Sequence, residues 1–153
     1  MGSRGSVIPL FIDQIKRGLP ITVTDYDMTR FLLSLDESIE LVMKAFRDGD
    51  NGDIFVKKAP AVSIRVLLKA VEKIFNSTAK IKIIGTRHGE KLYETLISRE
   101  EIIRTKEMKN YFCIKADRRS INYDDFFQKG KKEISTVSEY NSHNCKQLNV
   151  DEA

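Results

Sequence analysis

Helical and strand-like patterns alternate along the first 115 residues. That alternation confines the chain to a small α/β domain in which each amphipathic helix must cover a sheet or another helix. Ser6 stands at a cap position before a helix over about Val7–Arg17, where Ile8, Phe11, Ile12 and Ile15 share one face. Pro9 is tolerated in its first turn, Gly18 stops it and Pro20 blocks continuation. Ile21–Thr24 is rich in β-branched residues and reads as a short strand. Ser34 and Glu37 are spaced as a capping box for a helix over Leu35–Phe46, with Leu35, Ile39, Val42, Met43 and Phe46 on one stripe. Gly49 ends that helix, Asn51-Gly52 predicts a turn and Ile54–Val56 a strand. Ser63 caps a third helix that lines up Ile64, Leu67, Leu68, Val71, Ile74 and Phe75. A strand over Ile81–Ile84 follows. Ser98 and Glu101 form another capping box for a short helix to about Thr105, and Tyr111–Ile114 reads as a strand. The apolar stripes are all read as core.

Beyond about Lys115 the periodicity breaks, and Asp, Arg, Ser, Asn and Lys dominate. The expected organisation is therefore one α/β domain over residues 1–115 and an irregular tail over 116–153, anchored by Tyr123, Phe126 and Phe127. A chain of 153 residues can bury a sizeable core as one domain. No apolar run approaches the roughly 20 residues needed to span a membrane. Nor does an apolar segment follow Met1-Gly2-Ser3-Arg4 as in a secretory leader, which points to the cytoplasm. The net charge of +4 suits an anionic ligand. The basic residues are scattered, densest at Lys129-Gly130-Lys131-Lys132, and show no basic–aromatic pattern, so nucleic acid is not expected as a partner. Cys113 and Cys145 suggest no disulfide framework. His143-x-Cys145 with Cys113 lacks a fourth ligand and a recognised spacing, so no metal site is expected.

The densest chemistry lies in Gly85-Thr86-Arg87-His88-Gly89-Glu90-Lys91-Leu92-Tyr93-Glu94-Thr95, directly after the strand ending at Ile84. Glycines allow a sharp turn and a close backbone approach to a ligand. Arg87 can grip a phosphate through two parallel hydrogen bonds. Glu90 can accept from a sugar or ribose hydroxyl, or orient an arginine. On spacing alone, a solvated charged turn after a strand fits the same residues.

The block resembles the arginine-glycine-glutamate-lysine signature of nucleotide-sugar epimerases and dehydratases of the polysaccharide-biosynthesis type, in the extended short-chain dehydrogenase/reductase superfamily. Further segments resemble the family in order: Gly2-Ser3-Arg4-Gly5-Ser6-Val7-Ile8-Pro9-Leu10-Phe11, Thr24-Asp25-Tyr26-Asp27-Met28-Thr29-Arg30-Phe31, Asn51 to Val56, Ser98 to Glu101, Asp117 to Tyr123 and Asn141-Ser142-His143-Asn144. Tyr26 stands where many relatives carry proline. The resemblance implies the small carboxy-terminal substrate-binding domain of such an enzyme, with its Rossmann domain absent. It implies a UDP-sugar site in which Arg30 and Arg87 hold the diphosphate from two sides. Glu90 meets the ribose or an arginine, and Val7, Ile8, Pro9, Leu10 and Phe11 wall the uracil or sugar. Thr29, Ser3, Arg4 and His88 are secondary candidates.

In the complete family enzyme, NAD or NADP oxidises the sugar at its fourth carbon, and the outcome is either epimerisation or 4,6-dehydration. The resemblance places the dinucleotide site and the catalytic tyrosine and lysine before the point where this chain begins. No glycine-rich dinucleotide turn is present, Gly49-x-x-Gly52 being the nearest approach, so no catalytic or cofactor-binding residue is expected in this chain. Tyr111 and Lys115 have the spacing of the family's catalytic pair, but they fall on a predicted strand after the substrate motifs. A Met1 start inside a family motif suggests a split or truncated frame. The readings are a UDP-sugar 4-epimerase part in surface polysaccharide synthesis, a part of a 4,6-dehydratase, or a non-catalytic remnant that at most binds UDP-sugar. The first two call for a separate amino-terminal Rossmann half as partner.

Overall fold

Local signals shape the helices. In the computed structural model, which describes residues 5–117 and 138–153, helix α1 spans Val7–Lys16 and is closed by Gly18 at φ 66°. Gly18 and Leu19 donate to the carbonyls of Ile15 and Gln14 (3.0 and 2.9 Å), the paired bonds of a Schellman cap. Strands β1 (Ile21–Val23) and β2 (Thr29–Phe31) precede α2 (Leu35–Asp48). Next come β3 (Ile54–Lys57), β4 (Ala61–Ser63) and α3 (Ile64–Phe75). The Ser63 hydroxyl caps α3 by accepting from the Val66 amide, and Asn76 takes the left-handed position at its end. After β5 (Ile81–Ile83) and β6 (Thr95–Ile97), α4 (Arg99–Ile102) opens with the predicted Ser98–Glu101 capping box, both bonds present. Strands β7 (Thr105–Glu107), β8 (Tyr111–Ile114) and β9 (Tyr140–Asn141) complete the order. No helix among the described residues is long and apolar enough to cross a membrane.

The chain divides into two units that interleave in sequence. The first comprises residues 1–35, 59–94 and 142–153. Strand β1 pairs in parallel with β5, Ile21 against Ile81, and β2 pairs antiparallel with β4, Thr29 against Ser63. The inner faces of α1 and α3 bury Phe11, Leu67, Leu68 and Val71 against Ile21, Val23, Met28 and Val62. Residues 142–153, expected as irregular tail, return to this unit. Ala61 donates to the Lys146 carbonyl and Leu148 to the Ala61 carbonyl (both 2.8 Å), and Leu148 packs against the core.

The second unit comprises residues 36–58 and 95–141. Its three-stranded sheet runs β3-β8-β7, all antiparallel, and β6 pairs with β9. Val56, Ile97 and Ile114 form its core, flanked by Ile102, Phe112 and Tyr140. One expectation fails here. The stripe of α2, read as core, is exposed, and α2 has no buried residue. The short helix expected to reach about Thr105 ends at Ile102, because Thr105 pairs with Ile114 in the sheet. The motif from Arg118 to Tyr123, the anchors Tyr123, Phe126 and Phe127, and the run Lys129–Lys132 lie outside the described residues.

Candidate functional site

The signature loop is tied by its own backbone. Gly85 and Gly89 have φ of 80° and 83°, and a Cβ built on either would meet nothing within 4 Å. Glycine is thus required there by left-handed backbone, not by crowding. Between them the turn closes on itself. The Arg87 amide donates to the Glu90 carboxylate (3.0 Å), and the Glu90 amide donates to the Arg87 carbonyl (3.1 Å). One carboxylate oxygen of Glu90 therefore holds the loop, while the Arg87 side chain stays exposed.

Arg30 anchors the far end of the same loop. Its Nη2 donates to the Lys91 carbonyl (2.8 Å) and its Nη1 to the carbonyls of Thr29 (2.8 Å) and Leu92 (3.4 Å). Its Nε faces the Glu94 carboxylate at 3.6 Å, and Nη2 also meets the Met28 sulfur at 3.7 Å. The guanidinium is planar and forked, so it can bind several carbonyls at once. Its donors are engaged by the loop, which makes Arg30 a strut in this geometry. Beside it, the fully buried Ser142 hydroxyl contacts the Thr29 hydroxyl (2.7 Å) and accepts from the Glu94 amide (2.9 Å). Ser142 carries no chemical signal in the sequence beyond its place in the Asn141–Asn144 segment.

These pieces surround one cavity of about 180 Å³ in the first unit. Val7, Leu10 and Phe11 of α1 wall it together with Val23, Met28, Ile64 and Ile84. Asp25, Arg30, Arg87 and Glu90 supply its charged groups, and Gly5 borders it. The structure thus brings together Val7, Leu10, Phe11, Arg30, Arg87 and Glu90. It does not place Ile8 or Pro9 on the lining: Ile8 packs against the core, and Pro9 sits half-buried in the first turn. Thr29 is buried with its hydroxyl toward Ser142, and Ser3 and Arg4 lie outside the described residues. His88 is exposed and does not line the cavity. Thr22 and Thr24 line it and were not singled out from the sequence.

Three other sequence features resolve into structure. Tyr111 opens β8 and Lys115 follows its last residue, and residues four apart along a strand are roughly 13 Å apart. Lys115 instead pairs with Asp53 (2.7 Å) and Asp50 (3.3 Å). Gly49 and Gly52 follow the carboxy-terminal end of α2, the negatively polarised end of the helix. A dinucleotide pyrophosphate needs a helix amino terminus, so these residues do not fit NAD or NADP. Their glycines have local causes. A Cβ at Gly49 would stand 2.5 Å from the Ala45 carbonyl oxygen, and Gly52 has φ 87°. His143 makes an edge-on ring contact with Tyr93 (4.9 Å).

Comparison with known proteins places the chain in a family. The family described as polysaccharide biosynthesis protein matches residues 1–116, and that described as polysaccharide biosynthesis protein C-terminal matches 117–153. The chain is 52% identical to a UDP-glucose 4-epimerase of Rickettsia rickettsii (strain Sheila Smith) and 53% identical to one of Rickettsia bellii (strain OSU 85-389), each over 152 residues. Those matches cover 99% of this chain but 45% of either relative, in their carboxy-terminal part. The X-ray structure of Pen from Bacillus thuringiensis superposes with a TM-score of 0.80 at 33% identity, over 99% of this chain and 44% of Pen. The chain spans less than half the length of these relatives, and it belongs to the polysaccharide biosynthesis protein family.

Proposed function

We propose that this chain is the sugar-nucleotide-binding part of a UDP-sugar 4-epimerase of the UDP-glucose or UDP-N-acetylglucosamine type, serving surface polysaccharide synthesis. The observation that carries the reading is the convergence of α1, the end of β1, Arg30 and the signature loop on one cavity with an apolar wall and two arginines. An apolar wall with a few placed polar groups is the usual form of a small-molecule site. Arg87 is the free donor for the diphosphate, and Arg30 adds positive charge while it holds the loop. Glu90 fixes the turn that aims Arg87. Val7, Leu10 and Phe11 present the apolar wall to the uracil or sugar.

The cavity of about 180 Å³ is smaller than the roughly 300–1,000 Å³ typical of ligand pockets. It accommodates a fragment of a nucleotide sugar, and the remainder of the site belongs to an amino-terminal half like that of the longer relatives. That half also supplies the redox chemistry at the sugar, so this chain contributes binding and orientation.

The test is a thermal melt with and without millimolar UDP-N-acetylglucosamine. A ligand that binds only the folded state stabilises it, by about 2.7 kcal/mol at a hundredfold excess over its dissociation constant. The expected result is an upward shift with the sugar nucleotide and with UDP, lost in Arg87→Ala. No shift, or an equal shift with AMP, counts against the reading.

A further inference from the structure

The turn over residues 50–53, between α2 and β3, contains the sequence's sole Asn-Gly pair, Asn51-Gly52. Bonds between the flanking residues set its shape. The Asp53 amide donates to the Asp50 carbonyl (3.1 Å), and the Asp50 amide donates to the Asp53 carboxylate (3.1 Å). Gly52 has φ 87°, and a Cβ built there would stand 3.0 Å from the Ala116 Cβ. The fold therefore requires glycine at 52. It makes no such demand at 51. Asn51 is exposed, and among the described residues its side chain has no hydrogen-bond partner.

An asparagine Cγ can be attacked by the backbone nitrogen of the next residue, closing a five-membered ring. A side chain on that next residue crowds the attack, and glycine has none. An amide already bonded to a carbonyl must also give up that bond before it can react. Among the described residues the Gly52 amide has no acceptor. Two other asparagines precede serine, at Asn76-Ser77 and Asn141-Ser142. There the following amide is engaged: Ser77 donates to the Glu72 carbonyl (2.9 Å) and Ser142 to the Glu94 carbonyl (2.8 Å). Sequence and structure thus single out the same asparagine.

We propose that Asn51-Gly52 is a site of spontaneous deamidation and isoaspartate formation, with water as co-reactant. The Gly52 nitrogen bonds to the Asn51 Cγ, the Cγ–Nδ2 bond breaks, and the proton lost by the amide leaves with the ammonia. In the resulting succinimide the Gly52 nitrogen is bonded to both carbonyl carbons of residue 51. Water then adds to one of those carbons, whose bond to the nitrogen breaks. The nitrogen regains a proton and the new carboxyl group ionises, with no change of oxidation state. Opening at Cγ leaves aspartate in an ordinary main chain. Opening at the backbone carbonyl leaves isoaspartate, whose main chain runs through the side chain and is one carbon longer. Either product sets a new carboxylate between Asp50 and Asp53, the two partners of Lys115, and like charges oppose one another there. Isoaspartate also lengthens the backbone between the two residues that bond across the turn, displacing Asp53 from Lys115 and from the Ala116 amide (3.3 Å). The glycine that the fold demands is what makes its neighbour labile, so the second unit ages first at this junction.

The experiment is prolonged incubation of the full chain in neutral buffer, followed by proteolysis and mass spectrometry of the peptides. The peptide holding Asn51 is expected to gain one dalton and to split into two products of equal mass, aspartate and isoaspartate. It does so at least about tenfold faster than the peptides holding Asn76 and Asn141, which must each first break a backbone bond. Asn51→Gln abolishes the change, since glutamine would have to close a larger ring, and it keeps the parent's melting temperature. The isolated isoaspartate fraction melts about 2–4 °C below the parent, the shift that follows from losing roughly one hydrogen bond in a chain of this size. An unmodified Asn51 peptide, a rate no faster than at Asn141, aspartate without isoaspartate, or an isoaspartate fraction that melts with the parent would each overturn the inference.

Discussion

Ser142 is the residue on which the signature loop and strand β2 both depend. Its hydroxyl has no solvent exposure and satisfies the Glu94 amide and the Thr29 hydroxyl within one contact group. It also lies 3.2 Å from the Thr29 carbonyl. Buried polar groups are costly when a partner is deleted, because the survivors lose a hydrogen bond without regaining water. Ser142→Ala leaves an amide and a hydroxyl unpaired. It is expected to destabilise the chain by about 1–3 kcal/mol, read by urea unfolding. Replacing Thr29 by valine in the same chain removes one of the orphaned groups. The double variant is therefore expected to cost less than the two single changes added together. Additive costs would show that the hydroxyl pair is not coupled.

Asp53 does comparable work for an element junction. It sits at the end of the turn that leads from α2 into β3, with its side chain 2% exposed. Its carboxylate accepts from Lys115 (2.7 Å), from the Asp50 amide (3.1 Å) and from the Ala116 amide (3.3 Å), joining the turn to the residues after β8. The Lys115 bond is the largest cause that holds its pKa at about 2, helped by the two amides and opposed by burial. A carboxylate with a lowered folded pKa contributes stability above its unfolded value near 4, and that contribution is lost as pH falls through about 2. Asp53→Asn should therefore unfold more readily at pH 6, with the gap from the parent closing between about pH 4 and pH 2. A gap that is constant over that range would remove the ion pair from the account.

The elements also differ in how far sequence could reveal them. α1, α3, β1, β3, β8 and the Ser98 capping box were legible because their signals are local: caps, stop glycines and runs of period 3.6 or 2. β2, β4, β7 and β9 were not, since segments such as Thr105-Lys106-Glu107 become strands only through distant partners. The stripe of α2 was read correctly as an amphipathic face and wrongly as core, because periodicity reports that a face is apolar without reporting what covers it. At the site, the loop signature and resemblance pointed to six of the residues that line the cavity. The use of Arg30 as a carbonyl clamp was invisible, since it depends on where Lys91 and Leu92 turn their backbone.

At the scale of the whole molecule, the first unit is built from three stretches of chain, and its last piece arrives late. Residues 142–153 bring Ser142 to Thr29 across a separation of 113 positions. They also engage both backbone groups of Ala61, through Lys146 and Leu148, and add Leu148 and Ala153 to the packing against the core cluster. Lys73 on α3 is ion-paired with Asp151. Contacts of such sequence separation are costly to close, and these support the cavity indirectly, since none of residues 142–153 lines it. A chain ending at Asn141 loses all of these bonds together. The loss leaves Ala61, with 0% exposure, missing both its amide donor bond and its carbonyl acceptor bond to that segment. It is expected to melt well below the full chain and to lose the UDP-dependent shift, even though Arg30, Arg87 and Glu90 remain. Retention of the shift would mean that the loop and α1 form the binding surface without the closing segment. In that case the last twelve residues would serve stability alone.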